Sequence, residues 1–198
     1  MLQAADSTID IVHGDIKPQN VLIFRDKGET LVAKVADFGY SCLGVKDDDF
    51  VRLPMSPPWN APEWHHREFR IYAAKKTDVY SFGMLCLWVL FRDELLRYVA
   101  DAEANTVLVS IDGPWGGSYW KTRLEELKTE DKLTNIADEL ISRAAHLTAP
   151  QRVALGKFFE GTLCRDWKSR ESDFEKLIRF LNRDTYVQLP LQLKDAET

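Results

Sequence analysis

His13-Gly14-Asp15-Ile16-Lys17-Pro18-Gln19-Asn20 sets a carboxylate, an amine and an amide close together in one short stretch. Residues 9–13 lead into it. Downstream, Val21 to Phe24 and Leu31 to Ala36 are β-rich runs separated by Arg25-Asp26-Lys27-Gly28-Glu29, a polar turn containing glycine. That pattern predicts a hairpin. It sets Asn20 at the start of one strand and Asp37 just past the end of the other. A hairpin brings those ends together, which is the geometry two oxygen ligands need to share a metal ion.

Asp37-Phe38-Gly39 follows the second run, and Ala61-Pro62-Glu63 follows that. Each triplet alone is commonplace. In this order, behind an Asp and an Asn five residues apart, they resemble the protein kinase family. The resemblance implies ATP as phosphate donor and magnesium held by Asn20 and Asp37, hard oxygen ligands of the kind that ion prefers. It makes Asp15 the base that orients the acceptor hydroxyl, and Lys17 a point charge reaching the transferred phosphate. A lysine at that position resembles the serine/threonine kinases, so the implied partner is a protein substrate. Leu22 matches the apolar side chain beneath the adenine ring; without the family it reads as plain strand core. His13 is implied to pack against Phe38 rather than to act as base or ligand.

Ser56-Pro57-Pro58-Trp59-Asn60-Ala61-Pro62-Glu63 resembles the end of a kinase activation loop. Ser56 keeps the hydroxyl that contacts the catalytic Asp and Lys, Trp59 stands for a tyrosine, and Met55 stands where glycine is usual. Glu63 is expected to pair with Arg170 as a structural clamp. Asp78 opens Asp78-Val79-Tyr80-Ser81-Phe82-Gly83, similar to the central kinase helix, where the carboxylate takes hydrogen bonds from the catalytic-loop backbone. Gly14 departs from the family: many kinases have an arginine there that meets a phosphate on the activation loop. Activity independent of phosphorylation at Ser41 or Ser56 is therefore expected. Only twelve residues precede His13, with no glycine-rich loop, lysine strand or Glu-bearing helix among them. The small N-terminal lobe is expected to be missing or supplied by a partner protein.

Composition sets the outer bounds. A chain of 198 residues with 45% hydrophobic and 29% charged residues can build one globular core. A net charge of −5 gives no reason to expect nucleic acid or an anionic membrane as partner. Cys42, Cys86 and Cys164 form no Cys-x-x-Cys pair, so a disulfide framework or zinc site is not expected and a reducing compartment fits. No secretory signal is visible, and Met84 to Phe91 is too short to span a bilayer. A cytoplasmic or nuclear location is expected.

Beyond the hairpin the chain reads as helices. Residues 40–60 read as loop, with Asp47-Asp48-Asp49 a solvated run. Thr77 is expected to cap a helix to about Phe91, apolar on nearly every side and so buried all round. Gly113, Pro114, Gly116 and Gly117 mark a loop. Helices follow over Ser118–Lys128 and Leu133–His146; a third begins at Thr148-Ala149-Pro150 and runs to about Leu163. Ser172 and Glu175 form a capping-box pattern for Asp173–Asn182. The expected fold is mainly α with a short β-hairpin: the helical C-terminal lobe of the kinase-like α+β fold over residues 1–186, then a tail at 187–198.

Three functions follow from these readings. One is ATP-dependent phosphorylation of a protein Ser/Thr hydroxyl, weak or absent in this chain alone because the positioning supplied by the other lobe is gone. Another is a non-catalytic kinase-like interaction module. The third is a small-molecule kinase resembling the aminoglycoside and choline phosphotransferases, which commonly carry His-Gly-Asp.

Overall fold

The computed structural model describes residues 11–25, 30–43, 49–65, 68–101 and 119–182. The turn at 26–29, Asp47 and Asp48, the glycine loop at 113–117, Ser118 and the tail at 187–198 lie outside the described residues. The expected hairpin forms: β2 (Val21–Arg25) pairs antiparallel with β3 (Leu31–Val35), Val21 opposite Val35. Two shorter ladders form separate two-stranded sheets, β1 (Ile11–Val12) with β4 (Cys42–Leu43), and β5 (Phe50–Val51) with β6 (Phe69–Arg70). Residues 40–60 are thus not all loop. Two-residue ladders leave no periodicity to read in a sequence.

Among the described residues five α-helices follow: α1 (Ile71–Asp101), α2 (Tyr119–Thr129), α3 (Leu133–Arg143), α4 (Ala149–Leu163) and α5 (Phe174–Asn182). In α3, Leu133, Ile136, Ala137, Leu140 and Ile141 are buried at the i, i+3, i+4, i+7, i+8 spacing of an amphipathic helix. It stops at Arg143, short of His146, because the Arg152 guanidinium takes the last carbonyls, Ile141 O and Ala144 O, each at 2.7 Å. Pro150 occupies the first turn of α4, where Thr148 N donates to Gln151 Oε1 at 2.7 Å. The cap of α5 is Asp173, not Ser172: Asp173 Oδ1 accepts from Lys176 N at 3.0 Å.

Helix α1 departs most from expectation. It begins at Ile71, and Thr77 lies inside it, its hydroxyl donating to Ala74 O at 2.6 Å rather than capping an end. A serine or threonine that bonds back to the preceding turn can sit within a helix without starting it. Phe91, with φ −135° and ψ 26°, breaks the helical geometry and kinks the element where its first apolar run ends. Nor is α1 buried all round: Val89 is 71% exposed. On the buried side Val79, Tyr80, Met84 and Leu87 join Leu124, Ile136, Phe158 and Phe159 in one core. At Gly83 that packing is closest, since a Cβ there would stand 2.5 Å from Thr162 Oγ1 on α4. A smaller cluster of Val12, Val51, Phe69, Ile71 and Ala74 packs just ahead of the stretch at 13–20, anchoring its start through Val12.

Candidate functional site

The loop at 13–20 is shaped from beneath by α1. Asp78, buried within that helix, accepts His13 N–H at 2.6 Å and Gly14 N–H at 2.9 Å. Burial pushes its pKa up to about 6, against the lowering effect of those two amides. Asp15 N–H donates to His13 Nδ1 at 3.2 Å, so that nitrogen is unprotonated. Nε2 therefore carries the proton and donates to Ala36 O at 3.0 Å. His13 is spent on both bonds. Its ring meets Phe38 edge-on at 5.0 Å, the packing the resemblance implied.

Asp15 is buried, and its two oxygens differ. Oδ2 accepts from Lys17 Nζ at 2.6 Å and from Asn20 Nδ2 at 3.1 Å. Oδ1 is buried without a hydrogen-bond partner. Asn20 Nδ2 also donates to Asp15 O at 2.8 Å, which closes the loop on itself. Lys17 Nζ reaches Ser56 Oγ at 3.2 Å, so the lysine bridges that hydroxyl to the carboxylate. Ala36 N donates to Asn20 O at 2.8 Å, fixing Asp37 one residue beyond Asn20's partner. Asp37 is exposed, with φ 63°, and its Oδ1 takes the Gly39 N–H at 3.3 Å. An aspartate tolerates that left-handed geometry better than most residues. Among the described residues no three of His, Cys, Asp and Glu gather as a metal cluster. An amide oxygen from Asn20 with one carboxylate from Asp37 is instead a donor set that fits magnesium, which fills its remaining positions with phosphate and water.

Leu22 is 46% exposed, which overturns its reading as strand core and leaves an apolar surface beside the loop. Gly14 has φ +80°, and a Cβ there would meet Leu53 Cδ2 at 3.0 Å and Tyr40 O at 3.5 Å. Leu53 and Pro54 thus close over the position where an arginine would project.

Glu63 and Arg170 form the expected clamp, Nη1 to Oε1 at 2.6 Å and Nη2 to Oε2 at 2.7 Å. The remaining guanidinium donors go to Cys164 O, Lys76 O and Arg165 O, so all five N–H groups are used. Trp59 is buried against Trp88 and Trp120. Sequence reasoning missed Lys128. It is 3% exposed and donates to Asn60 O at 2.6 Å, but on the sequence it is one more lysine of a charged helix. The three cysteines are free, and burial pushes the Cys86 thiol up to about 12. No helix among the described residues is long and apolar enough to cross a membrane.

A family model for the protein kinase domain matches residues 7–172. The chain is 34% identical over 116 residues to the serine/threonine-protein kinase CHK1 of Saccharomyces cerevisiae, covering 53% of this chain and 21% of that one. It is 38% identical over 134 residues to the G-type lectin S-receptor-like serine/threonine-protein kinase LECRK1 of Oryza sativa subsp. indica, covering 66% and 14% respectively. Leucine-rich repeat receptor-like protein kinase TDR of Arabidopsis thaliana is 28% identical over 137 residues, 69% of this chain and 11% of that one. These matches span about a fifth or less of the relatives' own length.

Proposed function

This chain belongs to the protein kinase family, and from that premise we propose that its site performs ATP-dependent phosphoryl transfer to a serine or threonine hydroxyl of a protein substrate. The observation that carries this is the grouping around Asp15: Lys17 and Asn20 pin its Oδ2, Ser56 holds Lys17, and its buried Oδ1 has no hydrogen-bond partner among the described residues. A base needs one acceptor held in place and unoccupied.

In this reading the Asp15 carboxylate accepts the proton of the acceptor hydroxyl as the hydroxyl oxygen bonds to the γ-phosphorus of ATP and the bridging bond to ADP breaks. Lys17, tethered by Ser56 Oγ, presents its charge to the transferred group. Asn20 and Asp37 would hold magnesium, which would offset charge on the phosphates. Leu22 lies beneath the adenine. Asp78 and His13 fix the loop without touching substrate. The Leu53 and Pro54 contact over Gly14 supports activity that does not wait for activation-loop phosphorylation.

We further assign residues 1–186 to the helical C-terminal lobe of the domain and 187–198 to a tail. Ile23 at 61% and Phe24 at 46% exposure support a second lobe, on this polypeptide or another, covering the hairpin. Without it ATP lacks its upper contacts, and transfer by the chain alone is weak. The same exposed hairpin also favours a second reading, a non-catalytic module that docks a partner there. Calorimetric titration of the chain with ATP separates the two. Magnesium-dependent binding lost in both Asn20→Ala and Asp37→Ala supports the catalytic reading; no binding with or without magnesium overturns it.

A further inference from the structure

Lys128 lies in the last turn of α2, yet its side chain is only 2% exposed. An ammonium is costly to bury unless it is paired and hydrogen-bonded. Burial holds its pKa below the ordinary lysine value, with Glu125 pulling the other way. Nζ donates to Asn60 O at 2.6 Å and to Glu125 Oε1, and sits 5.8 Å from the centre of the Tyr80 ring that Arg170 also contacts. Methionine would fill the same space without the cost of a charge.

What the amine reaches distinguishes it from an ordinary anchor. Asn60 belongs to a tight turn in which Trp59 N and Asn60 N both donate to Ser56 O, at 2.8 and 3.3 Å. Ser56 Oγ receives Lys17 Nζ at 3.2 Å, and that amine pairs with Asp15 Oδ2 at 2.6 Å. Hydrogen bonds, joined by the covalent frames of Asn60 and Ser56, therefore link α2 through the 56–60 turn to the Asp15 carboxylate.

We infer that Lys128 is a positioning residue: by holding the Asn60 carbonyl it fixes Ser56, and through Ser56 it holds Lys17 against Asp15. The role rests on the phosphoryl-transfer reading of Asp15 and Lys17 and adds a residue from a distant helix to it. Glu125 offsets part of the cost of burying the ammonium.

Residue-resolved amide hydrogen exchange on the full chain tests this with Lys128→Met and Lys128→Arg. Loss of a charge-assisted hydrogen bond is expected to speed exchange at Trp59 and Asn60 about tenfold or more in Lys128→Met. Amides of α3 and α4 stay at their wild-type rates, and Lys128→Arg restores most of the protection. Unchanged exchange at Trp59 and Asn60, or an acceleration spread evenly over α3 and α4, overturns the proposal. If Lys128→Met does not fold, the wild-type protein decides by NMR. A shared titration midpoint for Lys128 Nζ and the Ser56 and Asn60 amides supports it; independent midpoints overturn it. None of these readouts needs phosphoryl transfer. Failure of the catalytic reading would instead show as absent ATP binding beside an intact exchange pattern.

Discussion

The two oxygens of Asp15 differ in what they touch, and that asymmetry defines the residue-scale chemistry. Oδ2 is held by an amine and an amide, whereas Oδ1 stands free. Asp15→Asn keeps the shape and removes the base, so phosphoryl transfer should fall by about 10²–10⁴ in kcat. ATP affinity from the same titration should stay as in the wild type; a kcat within a factor of three would sink the assignment. Gly14 is constrained by its backbone and by Leu53 together. Gly14→Arg forces a side chain into φ +80° and against Leu53 Cδ2. It should cost about 1–2 kcal/mol, read as a lower urea midpoint at unchanged slope. Gain of stability from that substitution would show that the loop at 53–54 yields easily.

At the scale of elements, α1 both anchors the core and shapes the loop at 13–20 through Asp78. The carboxyl has a pKa of about 6 in the fold against 3.8 when unperturbed. The folded state thus binds more protons at this group between those values, and the Asp78 contribution to stability falls as pH rises from about 4 to about 6. The ceiling on that loss is on the order of 3 kcal/mol. The ionised form is also the better acceptor for the His13 and Gly14 amides. Asp78→Asn removes the titration. Urea midpoints of wild type and variant, compared from pH 4 to 7, should diverge in slope; parallel profiles would mean that Asp78 does not titrate there. Elsewhere the elements were legible where apolar spacing is regular, as in α3. The ends were not. Asp173 rather than Ser172 caps α5, and Arg152 from α4 ends α3, because caps are chosen by which side chain tertiary packing brings within reach.

Across the whole molecule, apolar surface is distributed unevenly. The helices bury most of theirs, largely in one core, while the hairpin leaves Leu22, Ile23, Phe24, Leu31 and Val35 exposed. Such a ladder gains little from packing, so β2 and β3 amides should exchange faster than those of α4. Ile23→Thr should leave the thermal midpoint nearly unchanged; a drop of several degrees would show that the hairpin is packed after all. The order of short motifs was enough to identify the family, because Asp15, Asn20, Asp37 and Glu63 lie at spacings that local backbone geometry preserves. Three-dimensional packing alone decided that Leu22 faces out, that Leu53 closes over Gly14, and that Lys128 reaches Asn60. Each depends on segments far apart in the chain meeting in space, and no local pattern of side chains encodes where a distant neighbour will lie.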